Sequence, residues 1–477
     1  MEKSERGCDV GISHHNGDNL NFPLPPPPSY NEIFSGVQPA QGSFSTQSHP
    51  IYTYVDFCPD GPNSKYPELI EKANSWLSVN RSYLLLSCES VTLPVQKGNI
   101  CRQQSVHWLA LNNGRDWVTI LRCWIKRVQG QIPEQSQVIK TLAHMPEKKK
   151  SLSITISNNR YGMGFRGYNP EMPSFSDESQ SLKKLNENLA NSPLPGKILR
   201  VESIKKKVTD SRSMITNLDP DTLYWTEGEL VTTCFVYYTR ILYLEGEPTN
   251  QQIGWKDFIP TMMLNPGNPQ APKFASFPDT FYKVSQWVQS QQDKRVTNIQ
   301  SMEARVMMDP PFPQINSRPV VHSHLNQMAY SRMLSFMYGN KKAMFLRVYY
   351  VLEEGASAQA PQCLLSRTFA PYRLTPQTYE NPVENVMRLD RWVNYNEAIL
   401  PFSEKNILCA ESVTIPTNLY SKLPLDEGSM SHNVSANQFV SGIRLYLNGA
   451  CQEPPLQVIG CPPPVVFTQE SSCCTIL

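Results

Sequence analysis

The sequence predicts an α+β protein made of four diverged helix–strand–strand repeats, each of about a hundred residues, between Pro-rich tails that we expect to be disordered. One observation is a recurring segment, since "LSCESVTLP" (86–94) returns as "LCAESVTIP" (408–416). Another is the shared context. A Trp-containing amphipathic segment precedes each copy, and an apolar strand carrying an arginine follows each. Several elements in one order indicate a repeat.

Two further copies lie between the first and the last. "ILRVESIKK" (198–206) and "NIQSMEARVMM" (298–308) each follow a helix-like segment and precede a strand with an arginine. The alignment assigns one glutamate and one arginine to every copy. These pairs are Glu89 with Arg122, Glu202 with Arg240, Glu303 with Arg347, and Glu411 with Arg444.

The strand segments are flanked by Pro and Gly, which favours antiparallel pairing with one face under a helix. A two-stranded ribbon with one helix buries too little surface to be stable alone, so the repeats must pair. We expect two antiparallel-sheet domains, 51–247 and 277–450, joined by a linker at 248–276. One continuous assembly of all four repeats is the alternative. Residues 1–50 and 451–477 are the predicted tails.

The recurring Glu and Arg residues have two interpretations. They could form four ligand sites in which Arg binds an anion. They could instead lie on paired strands and neutralise each other across the sheet. We favour the structural interpretation, because a site for chemistry is rarely needed four times. By the same reasoning Trp76, Trp287 and Trp392 are interpreted as core anchors.

The composition argues against several classes of function. The 44 Lys and Arg residues nearly balance the 42 Asp and Glu residues, giving a net charge of +2. A nucleic-acid-binding protein usually has a basic excess, so none is expected as a partner. No apolar run reaches the roughly 18 residues of a membrane-spanning helix. The 12 cysteines show no zinc spacing, and without a secretion signal we expect reduced thiols.

We find no catalytic motif. The chain contains no phosphate-binding loop, dinucleotide fingerprint, nucleophile elbow or zinc-protease signature. His322 and His324 fall on one face of a predicted strand, but no Asp, Glu or Cys lies close to them. We interpret them as a surface pair and predict no metal site, no cofactor and no catalytic residue.

The N-terminal tail contains "PLPPPPSYNEIF" (23–34). Its prolines favour a polyproline II conformation. Pro27, Pro28 and Tyr30 resemble the P-P-x-Y ligand of WW domains, and this resemblance implies a WW-domain partner such as a HECT-type ubiquitin ligase. Tyr30 and Ile33 also resemble a Y-x-x-Φ endocytic sorting signal.

The chain closes on "CCTIL" (473–477). Cys474 and the three residues after it resemble the C-a-a-X prenylation signal, and a final Leu points to a geranylgeranyl chain. The resemblance implies a prenyltransferase as a partner and methylation of the processed terminus. One prenyl chain binds membranes only weakly, so we expect a palmitoyl group on the adjacent Cys473.

These observations lead to one functional expectation and one alternative. The expectation is a lipid-anchored scaffold or adaptor on the cytoplasmic face of the plasma or endosomal membrane, which recruits WW-domain proteins through its N-terminal tail. The alternative is a protein that binds a small ligand or lipid in a groove between paired repeats, with enzymatic activity of an unrecognised kind.

A peptide covering residues 23–34 should bind a WW domain with a micromolar Kd, about −8 kcal/mol or weaker. Tyr30→Ala should abolish the binding, because it empties the pocket that the tyrosine fills. Fluorescence anisotropy with both peptides measures this. Equal affinity of the two peptides would assign the binding to the prolines alone.

Overall fold

The structure is a computed structural model that describes the following residues. They are 50–96, 99–100, 107–109, 115–128, 137–152, 172–207, 209–210, 213–214, 218–227, 234–263, 273–307, 314–315, 321–323, 341–353, 362–374, 378–400, 402, 404–416, 430–433 and 438–460. They form a mixed, mostly strand structure with few helices.

The helices are α1 (Tyr66–Val79), α2 (Glu178–Asn191), α3 (Phe277–Gln289), α4 (Pro382–Ile399) and the single turn α5 (Leu456–Ile459), with a 3-10 turn at Glu404–Asn406. The longer strands are β1 (Tyr52–Phe57), β2 (Tyr83–Gln96), β5 (Arg115–Arg127), β6 (Ile139–His144), β9 (Leu194–Lys207), β13 (Cys234–Thr249), β14 (Gln251–Phe258), β17 (Arg295–Met307), β20 (Lys341–Glu353), β21 (Leu364–Phe369), β22 (Ile407–Pro416) and β24 (Gln438–Asn448). The shorter strands are β3 (Asn99–Ile100), β4 (His107–Leu109), β7 (Lys148–Leu152), β8 (Met172–Phe175), β10 (Thr209–Asp210), β11 (Ser213–Met214), β12 (Tyr224–Glu227), β15 (Met262–Met263), β16 (Lys273–Phe274), β18 (Gln314–Ile315), β19 (Val321–Ser323) and β23 (Ser431–Asn433).

Four antiparallel sheets share one strand order, in which an edge strand, a central strand and an inner strand lie side by side. From the first sheet to the fourth these strands are β1-β5-β2, β6-β13-β9, β14-β20-β17 and β21-β24-β22. In each sheet the chain runs from the edge strand through a helix to the inner strand and then to the central strand.

The sequence explains where the four long helices begin. Asp177, Ser276 and Asn381 precede α2, α3 and α4, and each side chain accepts a hydrogen bond from a backbone N–H in the first turn. In α1 the Glu68 side chain accepts the N–H of Lys65 at 3.0 Å. Such caps satisfy backbone donors that have no partner within a helix.

Each helix packs on its own sheet and on the edge strand of the next sheet. The cluster under α1 joins Leu69 and Ala73 to Cys88 and Leu121 of the first sheet and to Ile139 of the second. The clusters under α2, α3 and α4 are built in the same way, and the last of these reaches Tyr52 in the first sheet. The four sheets therefore close on each other in a ring.

The ninth residue of each long helix caps the next edge strand. Asn74 bonds both backbone groups of Ile139 (3.0 and 2.8 Å), and Asn186 bonds both backbone groups of Ile253 (2.9 and 2.9 Å). In α3 and α4 the equivalent bonds are Ser285 Oγ to Leu364 O (3.0 Å) and Tyr52 N to Asp390 Oδ1 (2.7 Å). An exposed strand edge would otherwise leave these backbone groups unpaired.

Two boundary predictions need correction. The predicted linker 248–276 is wrong where β14 lies, because β14 is the edge strand of the third sheet. The short edge strands have little alternation of their own, so the sequence pattern did not mark them. The inner strands β2, β9, β17 and β22 also contact one another around the whole ring. The sheets therefore do not separate into two pairs, and the continuous assembly describes them better.

Each of the three repeated tryptophans belongs to a helix (α1, α3 or α4) and packs against the apolar cluster under that helix, as expected of a core anchor. Trp392 is fully buried, and Trp76 and Trp287 are half-buried against the clusters under α1 and α3. Their aromatic neighbours include Phe57 beside Trp76 and Phe258 beside Trp287.

Asn186→Ala should lower the free energy of unfolding by about 1–2 kcal/mol. Two hydrogen bonds to the edge strand are lost, while the better helix propensity of Ala offsets part of that loss. Urea denaturation measures the change. Glu187→Ala, at an exposed position of the same helix, is the matched control and should stay within about 0.5 kcal/mol. Equal effects would exclude edge capping as a stabilising contact.

Candidate functional site: a buried polar ring

Three of the four predicted Glu–Arg pairs face each other across paired strands. The register places Glu89 opposite Arg122, Glu202 opposite Arg240, and Glu411 opposite Arg444. Each of the six side chains is buried, with 7% exposure or less. These residues occupy the contact region between the inner strands.

The pairing predicted for the third sheet is wrong. Arg347 lies opposite Gln300, and Glu303 lies opposite Met344. The sequence alignment chose the nearest glutamate and shifted that strand by three residues. Each facing residue is in fact followed by serine, at Ser90, Ser203, Ser301 and Ser412. That serine was the signal that would have identified Gln300.

A cyclic set of hydrogen bonds links the inner strands through these serines. Each serine backbone N–H donates to the Glu or Gln side chain of the following sheet. The bonds run from Ser90 to Glu202 (2.9 Å), Ser203 to Gln300 (2.9 Å), Ser301 to Glu411, and Ser412 to Glu89 (3.0 and 3.2 Å). The last bond returns to the first sheet, so the set is closed. We call these eight residues, with the four facing arginines, the polar ring.

Arg122, Arg347 and Arg444 each hydrogen-bond to two neighbouring elements. Their Nη1 groups reach the serine hydroxyl of the preceding sheet, in Arg122 to Ser412 (2.7 Å), Arg347 to Ser203 (2.9 Å) and Arg444 to Ser301 (3.0 Å). Their Nε groups donate to the edge strand beside them, at Asp56 (2.7 Å), Asp257 (2.7 Å) and Thr368 (2.9 Å). Each guanidinium therefore ties an edge strand to a neighbouring sheet.

Arg240 departs from this pattern. Its edge-strand neighbour is Ala143, which offers no acceptor, and its Nη2 donates to the carbonyl of Pro220 at 2.9 Å. Its guanidinium lies 3.4 Å from the ring centre of Tyr66, whose hydroxyl lies 2.9 Å from Ser90 Oγ. At Ser90 the hydroxyl is therefore bonded by Tyr66, whereas the equivalent serine hydroxyls are bonded by Arg122, Arg347 and Arg444. Within the part of the chain that the structure describes, Arg240 Nε has no hydrogen-bond partner.

A fifth buried arginine crosses the ring. Arg200 lies two residues before Glu202, and its Nε donates to Glu202 at 2.9 Å. Its Nη1 donates to Ala410 O at 2.8 Å, and its Nη2 lies 3.6 Å from Glu89 Oε2. It joins the second sheet to the first and the fourth. The sequence gives no signal for it, because the corresponding positions of the other three inner strands hold Ser, Asn and Cys.

Burial governs the protonation of the ring. It raises the pKa of the Glu202 carboxyl, and Arg200 opposes this effect. It also raises the pKa of the Glu411 carboxyl, with Arg444 opposing it. These carboxylates accept hydrogen bonds inside the protein and are shielded from solvent, so no substrate can reach them in this arrangement. The geometry suits structural pairing rather than acid–base chemistry.

The other predicted site residues lie outside the described residues. They are Pro27, Pro28, Tyr30 and Ile33 in the first tail, Cys473 and Cys474 in the second, and His324. His322 belongs to β19. Among the described residues, no group of three or more His, Cys, Asp or Glu side chains is placed to hold a metal ion. None of the described helices is long and apolar enough to cross a membrane.

Comparison of the chain with profiles of known protein families, with curated proteins and with solved structures found no significant match.

Glu89→Ala should lower the free energy of unfolding by about 3–5 kcal/mol, because it leaves buried donors of Ser412 and Trp124 without their acceptor and removes the charge that pairs with Arg200. Glu89→Gln should have a smaller effect, since Gln300 occupies the equivalent position in the third sheet. Glu71→Ala, on the exposed face of α1, is the control and should change stability by less than about 0.5 kcal/mol. Denaturant titration of the three variants measures the order. Equal effects of the Ala substitutions would contradict a stabilising ring.

Proposed function

We propose that the chain is a lipid-anchored peripheral membrane scaffold that recruits WW-domain proteins, and that its body consists of four copies of one strand–helix–strand–strand unit. The polar ring carries this proposal. A closed set of buried hydrogen bonds supports a rigid platform, because no sheet can rotate without breaking bonds to both neighbours.

The connections between inner and central strands support a role in protein binding. They occupy the chain positions 97–114, 208–233, 308–340 and 417–437, and they differ in length. Each contributes a short strand that pairs with the start of a neighbouring central strand. These pairs are β12 with β5, β19 with β13, β23 with β20, and β4 with β24. A constant framework with variable connections at one end is a common design for partner recognition.

The ligand-binding alternative requires a groove between the sheets. The inner strands meet through the polar ring, whose side chains are buried and bond to one another. A buried ion network of this kind favours the scaffold over a small-molecule site.

The two tails supply the proposed attachments. The P-P-x-Y-like motif at Pro27, Pro28 and Tyr30 would bind the WW domain, for example that of a HECT-type ubiquitin ligase. A geranylgeranyl group on Cys474 and a palmitoyl group on Cys473 would hold the protein on the cytoplasmic face of the plasma or endosomal membrane. Prenylation further requires that Leu477 be the free carboxyl terminus.

Cys474→Ser should move the protein from the membrane to the soluble fraction, because a thioether cannot form at a hydroxyl group. Cys473→Ser should give weaker, exchanging membrane association, since one prenyl chain remains. Fractionation of cells expressing each variant, with the intact mass of the C-terminal peptide, measures both effects. Unmodified Cys474 in a peptide that still ends in Leu477 would refute the lipid anchor.

A further inference from the structure

Helix α4 bonds to the start and to the end of the folded part of the chain. Asp390 Oδ1 of α4 accepts the N–H of Tyr52, the first residue of β1, at 2.7 Å. The next residue, Arg391, donates from Nη1 to the carbonyl of Ile459 at 3.3 Å. The start of β1 and the end of α5 are therefore bonded to neighbouring residues of one helix.

Apolar packing supports the same placement. Tyr52 and Ile459 are buried in one cluster with Trp392 of α4, and Ile51 and Leu456 pack against it. Gly460 ends α5 with a φ of 70°, and a Cβ atom at Gly460 would lie 2.0 Å from Arg391 Nη1. Helix α5 thus ends immediately beside Arg391.

The anchoring point lies away from the variable connections. Tyr52 pairs with Lys126, near the end of β5, whereas the connection from β2 enters β5 at its start, Arg115. The N-terminal tail and this connection therefore leave from opposite ends of the first sheet.

We infer that both tails leave the ring side by side at α4, so that a WW-domain protein bound at Pro27–Tyr30 is held beside the lipid anchor and is itself membrane-attached. What the tails bind rests on the proposed function; their common origin rests on Asp390 and Arg391. The chain from Tyr30 to Ile51 spans at most about 75 Å, and that from Gly460 to Cys474 at most about 50 Å, at ~3.5 Å per residue. Because both tails start at one place, the width of the ring does not separate the bound partner from the lipid anchor. This raises the effective concentration of the partner at the membrane.

The common origin is tested by energy transfer in the full-length prenylated protein. Donor and acceptor dyes are placed through non-canonical amino acids at Pro50 and at Gln457, which is exposed on α5. The control pair is Pro50 and Glu187, since α2 packs at the junction of the second and third sheets. High transfer for the first pair and low transfer for the control are expected. Equal transfer in the two pairs would overturn the inference.

The consequence is tested with a WW domain attached to vesicles through a chelating lipid. The matched variant has residues 23–34 moved from the tail to a position between Asp210 and Ser213, within the variable connection 208–233. Both proteins should bind the free WW domain equally, and the wild type should bind the vesicle-attached domain at least about fivefold more tightly than the variant. Equal binding on vesicles overturns the inference and leaves the proposed function intact. A wild type that fails to bind the free domain overturns the proposed function, while the energy transfer still decides the common origin.

Discussion

The hydrogen bond from a serine N–H to a Glu or Gln side chain of the next sheet is the contact on which the architecture depends. The inner strands do not share a backbone ladder, so their outward N–H groups need another acceptor. Glu202, Gln300, Glu411 and Glu89 supply it in turn. On the outside of the ring, Asn74 and Asn186 do the same for two edge strands. Side chains of a neighbouring sheet and of a helix thus bond backbone groups on both edges of a sheet.

Burying this many charges is an expensive way to stabilise a protein, because desolvation opposes each ion pair. What the charges supply is register. A one-residue slip of an inner strand would turn its glutamate toward the apolar cluster under the helix and leave the facing arginine unpaired. The bidentate pair of Arg122 with Asp56, at 2.7 and 2.8 Å, imposes the same constraint on an edge strand. Charge therefore selects one arrangement among several that apolar packing alone would permit.

Local sequence patterns predict the helices, the long strands and one ion pair, whereas contacts between distant residues leave no such pattern. The helices and long strands carry strong local patterns, and the pairing of Glu89 with Arg122 follows from their repeated spacing. Gln300 was missed because the alignment relied on charge, whereas the structure needs only an acceptor at that position. Arg200 and the edge strand β6 have no repeated pattern. The closure itself joins Ser412 to Glu89, 323 residues apart, and no local pattern encodes it.

The junction between the fourth sheet and the first differs from the other three because no chain connects the two sheets directly. There Ser412 donates to the Glu89 carboxylate from its N–H and from its hydroxyl (2.6 Å), and Arg122 donates to the same hydroxyl. The covalently continuous junction between the third and fourth sheets has the same contacts, since Ser301 donates to Glu411 from its N–H and its hydroxyl (3.0 Å) and Arg444 bonds that hydroxyl. Strand β4 adds a backbone ladder to β24, and Asp390 holds the start of β1. A junction without a covalent link must overcome the closure entropy of the whole chain, and here it is closed by the same kinds of contact that join the covalently connected sheets.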